Sequence, residues 1–335
     1  MRICICGGGH LGHVCAGVLA SHVNVEVNIL SSKARLWKKK LHVTDIAAHE
    51  YVGDLNLVTD IPELAVEGAD LILLCLPGFA IEDTLLSLKP YLKDNQILGS
   101  IVSSTGFFFM AKKILGNESK LFGFQRTPFI ARTNEYGSSA YLLGYKSAIN
   151  IAVENIDVQE EFRQMIEKLF LTPTVLLNNY LEASLTNSNP ILHTGRLYSL
   201  WSDWHGEVYD HHILFYKEWT DHASELIVNM DNEFMSLLDK LPVNKEKIPS
   251  LLDYYESIDI TSLTKKISSI PAFQTIFAPM LQVKNGWIPD FSSRYFIEDF
   301  PYGLKQIIDI GHKYDEKMYY MEKVYDWGMK MILVK

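Results

Sequence analysis

Apolar runs alternate with segments of helical period through the first half of the chain. Residues 3–6, 23–30, 55–58, 69–76 and 96–102 are short, rich in Ile, Leu and Val, and closed by Gly, Pro or Ser. Strands covered on both faces read this way. Between them lie segments suited to helices: 13–21, a turn and short helix at 59–66, and 81–92, where Leu85, Leu88 and Leu92 share one side. Strands alternating with helices at this spacing build βαβ units and hence a parallel, doubly wound sheet. Residues 122–124, 140–145 and 148–153 read as further strands extending that sheet. From Leu181 onward the pattern turns helical and aromatic. Phe234, Leu237, Leu238 and Leu241 fall on one face of a helix over 230–241, with Asp231 and Glu233 near its start, and 304–310 and 317–331 read as closing helices. The expected architecture is α/β followed by all-α, with domains 1–180 and 181–335.

A chain of 335 residues suits two cores, because single cores seldom grow past about 250–300 residues. Its hydrophobic fraction of 48% is that of a soluble globular protein. No apolar run approaches the ~18 residues of a membrane span, and no basic segment precedes an apolar one at the start. The expected compartment is therefore cytoplasmic. A formal net charge of −9 disfavours nucleic acid and anionic membranes as main partners. Cys4, Cys6, Cys15 and Cys75 lie in apolar runs with no second pair to complete a zinc site. They read as core thiols of a reducing compartment.

The first signal with chemistry in it stands at the start. The strand-like residues 3–6 run into Gly7, Gly9 and Gly12, spaced G-x-G-x-x-G, and an apolar, alanine-rich helix follows. In a strand–turn–helix that holds a dinucleotide, the first glycine makes the tight turn. The second lets backbone approach a pyrophosphate, and the third lets helix and strand pack closely. His10 and Leu11 would then lie at the helix N-terminus, whose free N–H groups and dipole favour phosphate. The next strand ends Leu30-Ser31-Ser32-Lys33-Ala34-Arg35, with no acid to bond the ribose hydroxyls of NAD. Ser31, Ser32, Lys33 and Arg35 suit a 2′-phosphate instead, Arg35 in a bidentate way. The competing reading has Lys33 and Arg35 begin a solvated helix, as Lys38, Lys39 and Lys40 would. The residues point to NADP, with NAD the alternative. Pro77 and Gly78 close the 69–76 strand at the carboxyl edge where a cofactor would lie, and the 96–102 strand ends in Ser103-Ser104-Thr105-Gly106.

In the second half, Asn187-Ser188-Asn189-Pro190-Ile191-Leu192-His193 puts Pro190 at a first helical position with Asn189 as N-cap, and so His193 in the first turn. Apart from the place of His10 at the glycine turn, His10, His13, His205, His211, His212 and His222 mostly read as structural residues. In Asp210-His211-His212, adjacent side chains on a helix diverge rather than converge on a metal. The run 293–304 crowds Arg294, Glu298 and Asp299 among aromatics just before Pro301. Asp299, two residues ahead of that proline, reads equally as a helix cap and as a catalyst.

These motifs resemble those of the octopine/nopaline (opine) dehydrogenase family over nearly the whole chain. The points of likeness are Gly7-Gly8-Gly9-His10-Leu11-Gly12, Asn187-x-Asn189-Pro190-x-x-His193, and Phe215-Tyr216-Lys217-Glu218 with Asp231-Asn232-Glu233 after it. The most specific is Arg294-Tyr295-Phe296-Ile297-Glu298-Asp299-Phe300-Pro301-Tyr302-Gly303-Leu304. The resemblance implies a Rossmann domain followed by an all-helical domain, with the active site in the cleft between them. It implies reductive joining of a 2-oxo acid, such as pyruvate, to the amino group of an amino acid. His193 and Asp299 would be the catalytic pair: an imidazole exchanges protons near neutral pH, and a carboxylate on its other nitrogen fixes the tautomer. Arg294 would reach the cofactor pyrophosphate from the second domain. His10 stands where the family often carries Asn. Residues 125–132 are similar to the family's Pro-aromatic-x-x-Arg stretch, which makes Arg132, with Asn189, a candidate substrate contact. Tyr198, Trp201, Trp204 and Tyr209 are either pocket walls or core. The expected function is that of an NADP-dependent opine dehydrogenase acting on small molecules, with a homodimer left open. A simple 2-oxo acid reductase of the ketopantoate reductase type and a non-catalytic nucleotide-binding regulator are the alternatives.

Overall fold

The computed structural model describes residues 1–104 and 106–333 and separates into two compact units, Met1–Ser184 and a second beginning at Leu185. Thr105, in the serine-rich end of the 96–102 strand, lies outside the described residues. The first unit runs β1 (Arg2–Cys6), α1 (His10–Ala20), β2 (Glu26–Leu30), β3 (Lys40–Asp45), β4 (Glu50–Asp54), β5 (Leu57–Thr59), α2 (Pro62–Val66) and β6 (Leu71–Leu74). It continues with α3 (Gly78–Leu88), β7 (Ile97–Ile101), α4 (Phe107–Leu115), β8 (Leu121–Phe124), β9 (Phe129–Glu135), β10 (Ser139–Tyr145), β11 (Ile149–Glu154), α5 (Gln159–Phe170), β12 (Thr174–Leu176) and α6 (Tyr180–Ser184).

The main sheet has eight strands in the order β12-β11-β8-β7-β6-β1-β2-β5. From β5 through β2, β1, β6 and β7 to β8 the strands are all parallel. That order, reversing beside β1, is the doubly wound arrangement of a Rossmann fold. Side chains alternate across β1: Ile3 and Ile5 join the core that contains Val14 and Val18, while Cys4 and Cys6 join the one that contains Ile81, Leu85 and Phe107. All four cysteines are free and buried. Contact with Cys4 and burial push the Cys6 thiol well up, so it stays protonated and acts as packing.

The strand at 148–153 extends this sheet as β11, antiparallel to β8. The one at 140–145 does not. It is β10 of a second, four-stranded sheet in the order β4-β3-β10-β9. In β3, Leu41 and Val43 are buried while Lys40 and His42 are exposed, which is the alternation of a sheet with one wet face. The solvated-helix reading of Lys38–Lys40 is thereby corrected: one 3₁₀ turn, Ala34–Leu36, leads directly to β3. Helix α1 packs against strands of both sheets, and Val14, Cys15, Ala16, Val18 and Leu19 are completely buried. This double cover explains why α1 is apolar all round.

The second unit contains α7 (Asn189–Trp201), α8 (Asp221–Asp239), α9 (Leu251–Tyr254), α10 (Ile260–Ser269), the hairpin β13 (Met280–Val283) and β14 (Gly286–Pro289), α11 (Arg294–Ile297), a π-helical segment Asp299–Leu304, α12 (Lys305–Lys313) and α13 (Tyr319–Ile332). Apart from the hairpin it is helical. The helix expected over 230–241 starts at Asp221, because the Thr220 side chain caps it by accepting the Ala223 N–H. The two units divide after Ser184 rather than after residue 180, since α6 packs on β8 and β11 and buries Ala183 in the first unit's core.

Asp231 on α8 is buried and accepts the Leu251 N–H at the start of α9. Burial raises its carboxyl to about 6 from 3.8. The folded state therefore holds this proton more tightly than the unfolded chain. Stability is fully present below about pH 4 and falls as pH rises through the window between the two values. Asp231→Asn keeps the acceptor and removes the charge. Its expected effect is a gain of up to about 3 kcal/mol at pH 7.5 and almost none at pH 4, since one pKa unit is ~1.4 kcal/mol. Urea melts at the two pH values check this; an equal effect at both would refute it.

Candidate active site

The glycine turn fills the switch point between β1 and β6. Gly7 has φ +120°, a conformation that L side chains rarely adopt, and a Cβ there would lie 2.5 Å from the Cys75 carbonyl oxygen. A Cβ on Gly12 would lie 2.1 Å from the Gly7 carbonyl oxygen, so α1 can sit this close to β1 only without a side chain. Gly9 differs: it is the N-cap of α1, no side chain caps the helix, and a Cβ there would meet nothing within 4 Å. The space above Gly9 suits a pyrophosphate facing backbone N–H groups.

Beside the turn lies a cavity of about 400 Å³ whose wall includes Gly7, Gly8, Ser31, Ser32, Lys33 and Tyr136. Ser31 is buried and its Oγ accepts the Lys33 N–H, while the Lys33 ammonium lies 5.5 Å from the Tyr136 ring centre. Arg35 is not part of this wall; it is exposed in the 3₁₀ turn that follows. Pro77 is the N-cap of α3 at the end of the β6 strand and its following residues, and Leu76 lines the cavity beside it. Tyr136 escaped sequence reasoning, because the turn between β9 and β10 brings it in from the second sheet. Its hydroxyl stands 2.4 Å from where a Gly8 Cβ would be.

The same β9–β10 edge fixes two histidines. His10, exposed at the start of α1, accepts the Thr133 N–H at Nδ1, which leaves its proton on Nε2. Leu11, beside it, packs against the apolar core. His13 is buried, donates from Nδ1 to the Gly9 carbonyl and accepts the Gly137 N–H at Nε2. Burial lowers its pKa, so it stays neutral as a structural residue. Arg132 is exposed, on the side of β9 opposite Ala131 and Thr133. The structure does not bring it to the cavity wall.

In the second unit, α7 begins at Asn189 with Pro190 after it, and the Asn187 side chain accepts the Asn189 N–H. The cap thus falls before Asn189, which is the first helical residue, one turn ahead of His193 and half-buried. His193 Nδ1 donates to Asp299 Oδ2 over 2.8 Å, and its Nε2 lies 2.9 Å from the Tyr216 hydroxyl. Asp299 therefore binds a side chain rather than capping a helix; it opens the π-helical segment, which has no side-chain cap. A Cβ on Gly303 would lie 2.7 Å from Pro190, so this glycine lets the segment close onto the start of α7. The Tyr295 ring packs on His193 at 4.7 Å. Arg294 is largely exposed and lies 3.3 Å from Glu298.

Tyr216 was legible only as part of a motif. Burial and nearby Tyr295, Tyr255 and Asp299 push its hydroxyl far above the ordinary tyrosine range, so it keeps its proton. Trp201 is buried and Tyr198 packs on Trp327, which makes both core rather than pocket wall. Trp204 stacks edge-on to Phe291 and Tyr209 pairs with the backbone of Trp287, again as packing. His211 lies between Asp210 and Glu218, and His212 donates from Nε2 to the Ala278 carbonyl, its ring between those of Phe277 and Trp287. Among the described residues no three His, Cys, Asp or Glu side chains converge as a metal site, and no helix is long and apolar enough to cross a membrane.

A doubly wound sheet with an open glycine turn, followed by a helical unit that carries a His–Asp pair, defines an NAD(P)-dependent oxidoreductase. Residues 176–332 match the family described as NAD/NADP octopine/nopaline dehydrogenase, alpha-helical domain. Tauropine dehydrogenase of Arabella iricolor is 28% identical over 98% of this chain and 90% of its own length. Octopine dehydrogenase of Pecten maximus is 27% identical over 91% of this chain and 83% of its own. A solved structure of octopine dehydrogenase with NADH and L-arginine superimposes with a TM-score of 0.85, at 24% identity, covering 99% of this chain and 89% of that one. Residues 176–332 thus match the helical domain of the octopine/nopaline dehydrogenase family, and nearly the whole chain is similar to tauropine and octopine dehydrogenases.

Proposed function

We propose that the chain is an NADP-dependent opine dehydrogenase, which condenses a 2-oxo acid with the amino group of an amino acid and reduces the product. The observation that carries this reading is the 2.8 Å bond between His193 and Asp299. Substrate ammonium must lose a proton before its nitrogen can attack a carbonyl, and the resulting carbinolamine must gain one at oxygen before water can leave. One imidazole serves both steps, and a carboxylate on Nδ1 stabilises its charged form between them. Bound NADPH would supply hydride to the imine carbon. The glycine turn would hold its pyrophosphate, and the ribose would face Ser31, Ser32 and Lys33.

The NADP preference rests on the lack of an acid after β2 and on Lys33 in the cavity wall; Arg35, exposed beyond the wall, carries less of it. Lys33→Ala is expected to weaken NADPH binding ~10-fold and leave NADH binding within ~2-fold, as loss of one partly exposed phosphate contact implies. Titration of nicotinamide fluorescence reads both. A wild-type preference for NADH would end the NADP reading.

The reaction is tested by following NADPH oxidation with pyruvate and other 2-oxo acids against a panel of amino acids. Oxidation that requires both partners, with a secondary amine as product, supports the proposal. Oxidation by a 2-oxo acid alone, indifferent to any amine, would make the chain a simple carbonyl reductase. NADPH binding without oxidation under any pairing would favour a nucleotide-binding regulator.

A further inference from the structure

Both nitrogens of the His193 imidazole are engaged, and the group on the second one is held unusually firmly. The Tyr216 ring lies 4.3 Å from Phe273 on a 23° tilt and 5.9 Å from Trp219, nearly parallel to it. The residue is only 5% exposed. Its loop is fastened to the helix that carries His193. Arg196, one turn further along α7 and 1% exposed, donates from Nε to the Phe215 carbonyl at 2.9 Å and from Nη2 to the Glu218 carbonyl at 2.7 Å. Its guanidinium lies 5.2 Å from the Trp219 ring. Desolvation lowers the Arg196 pKa to about 10, still charged at neutral pH, so a buried cation is spent on two main-chain carbonyls. That is a costly way to pack a loop and an effective way to fix one.

A hydroxyl so fixed cannot swing away when substrate arrives. It can, however, accept one hydrogen bond while donating another. We infer that Tyr216, not His193 itself, meets the reacting oxygen, and that its hydroxyl relays protons between substrate and His193 Nε2. The inference rests on the reductive-condensation reading above and adds Tyr216 to the His193–Asp299 pair.

The steps balance. Substrate ammonium gives a proton to the Tyr216 oxygen as the Tyr216 hydroxyl proton passes to neutral Nε2. The freed amine adds to the carbonyl, and its surplus proton moves to the new oxygen, giving a neutral carbinolamine. In the next step imidazolium returns its Nε2 proton to the Tyr216 oxygen while the hydroxyl proton passes to the carbinolamine oxygen. The C–O bond breaks, water leaves, and the nitrogen lone pair forms the C=N bond of an iminium. Tyr216 ends each step as a neutral phenol, which suits its strong hold on the proton. Arg196 is a positioning residue that acts through the loop.

The test uses full-length His193→Asn, Tyr216→Phe and the double variant, with the 2-oxo acid and amine that give the fastest NADPH oxidation in the screen. Tyr216→Phe keeps the ring between Phe273 and Trp219. The expected result is a kcat about 10²-fold lower, with KM within ~3-fold and NADPH fluorescence binding unchanged. The double variant should be no slower than His193→Asn, since groups acting in series are not additive. Tyr216→Phe within ~3-fold of wild type, beside an inactive His193→Asn, would overturn the relay and leave the opine dehydrogenase reading intact. Normal turnover in His193→Asn would instead remove that underlying reading. If Tyr216→Phe melts at a markedly lower temperature, single-turnover rates of the wild-type protein in H₂O–D₂O mixtures decide. A curved dependence on deuterium fraction means two protons in flight; a straight line refutes the relay.

Discussion

His193→Asn is expected to lower kcat by at least about 10²-fold, and up to 10⁴-fold, while NADPH binds as before. Asn at this position can still donate a hydrogen bond to Asp299, so the start of α7 and the π-helical segment stay joined. What is lost is the group that changes protonation state. In the proposed reaction the carbinolamine would then have no internal acid to assist departure of water, and the ammonium no base to free its nitrogen. Asp299→Asn tests the other half of the pair. An amide can hold the ring in place but offers no charge to stabilise the imidazolium, and its NH₂ can turn toward Nδ1 and select the wrong tautomer. A comparable fall in kcat is expected. Steady-state rates with saturating NADPH, read beside cofactor fluorescence, check both variants. Activity near wild type in either would remove the acid–base assignment.

The second large effect is a contrast between two glycines of one turn. A Cβ on Gly9 meets nothing within 4 Å, whereas a Cβ on Gly12 would lie 2.1 Å from the Gly7 carbonyl oxygen. Gly9→Ala should therefore fold with a wild-type melting temperature and yet lose dinucleotide affinity by ~10-fold or more, because the methyl group occupies the approach to the pyrophosphate. Gly12→Ala must move backbone against backbone. Its melting temperature should fall by ~5 °C or more, with affinity lost as a consequence. Thermal melts and nicotinamide fluorescence on both variants separate the two causes. Equal destabilisation, or undiminished affinity in Gly9→Ala, would show that the turn holds no phosphate.

The parallel sheet is legible because its central strands are buried on both faces and apolar along their length, most plainly in Leu71–Leu74. The second sheet is not. Strand β3 shows only alternate apolar residues, Leu41 and Val43, directly after the charged run Lys38–Lys40, and β4 has just two, Tyr51 and Val52. β10 reads as a strand, but its sheet is not legible, since one of the two strands that flank it, β3, lies almost a hundred residues earlier in the chain. Within the candidate site, His193 and Asp299 were visible through a motif, although residue chemistry alone left Asp299 divided between cap and catalyst. The 2.8 Å bond to His193 decides what Asp299 touches. Arg35 looked the better phosphate ligand because guanidinium pairs so well with phosphate. The structure places Lys33 in the cavity wall and Arg35 exposed in the turn beyond it. Tyr216 and Arg196 could not be found from periodicity, because their meaning lies in a loop folded back on a helix.

The bond from Gly137 to His13 joins residues 124 positions apart. It has a consequence for modularity. A fragment that stops before β9 would include the whole glycine fingerprint and every strand of the parallel run, yet it would leave the buried Nε2 of His13 without its partner and remove the Tyr136 ring from the imidazole. It would also lack Tyr136 from the wall of the cavity beside the glycine turn. The fingerprint in this chain is thus not a portable cassette. Grafted elsewhere without the distant hairpin, it would carry the right letters and an unfinished pocket.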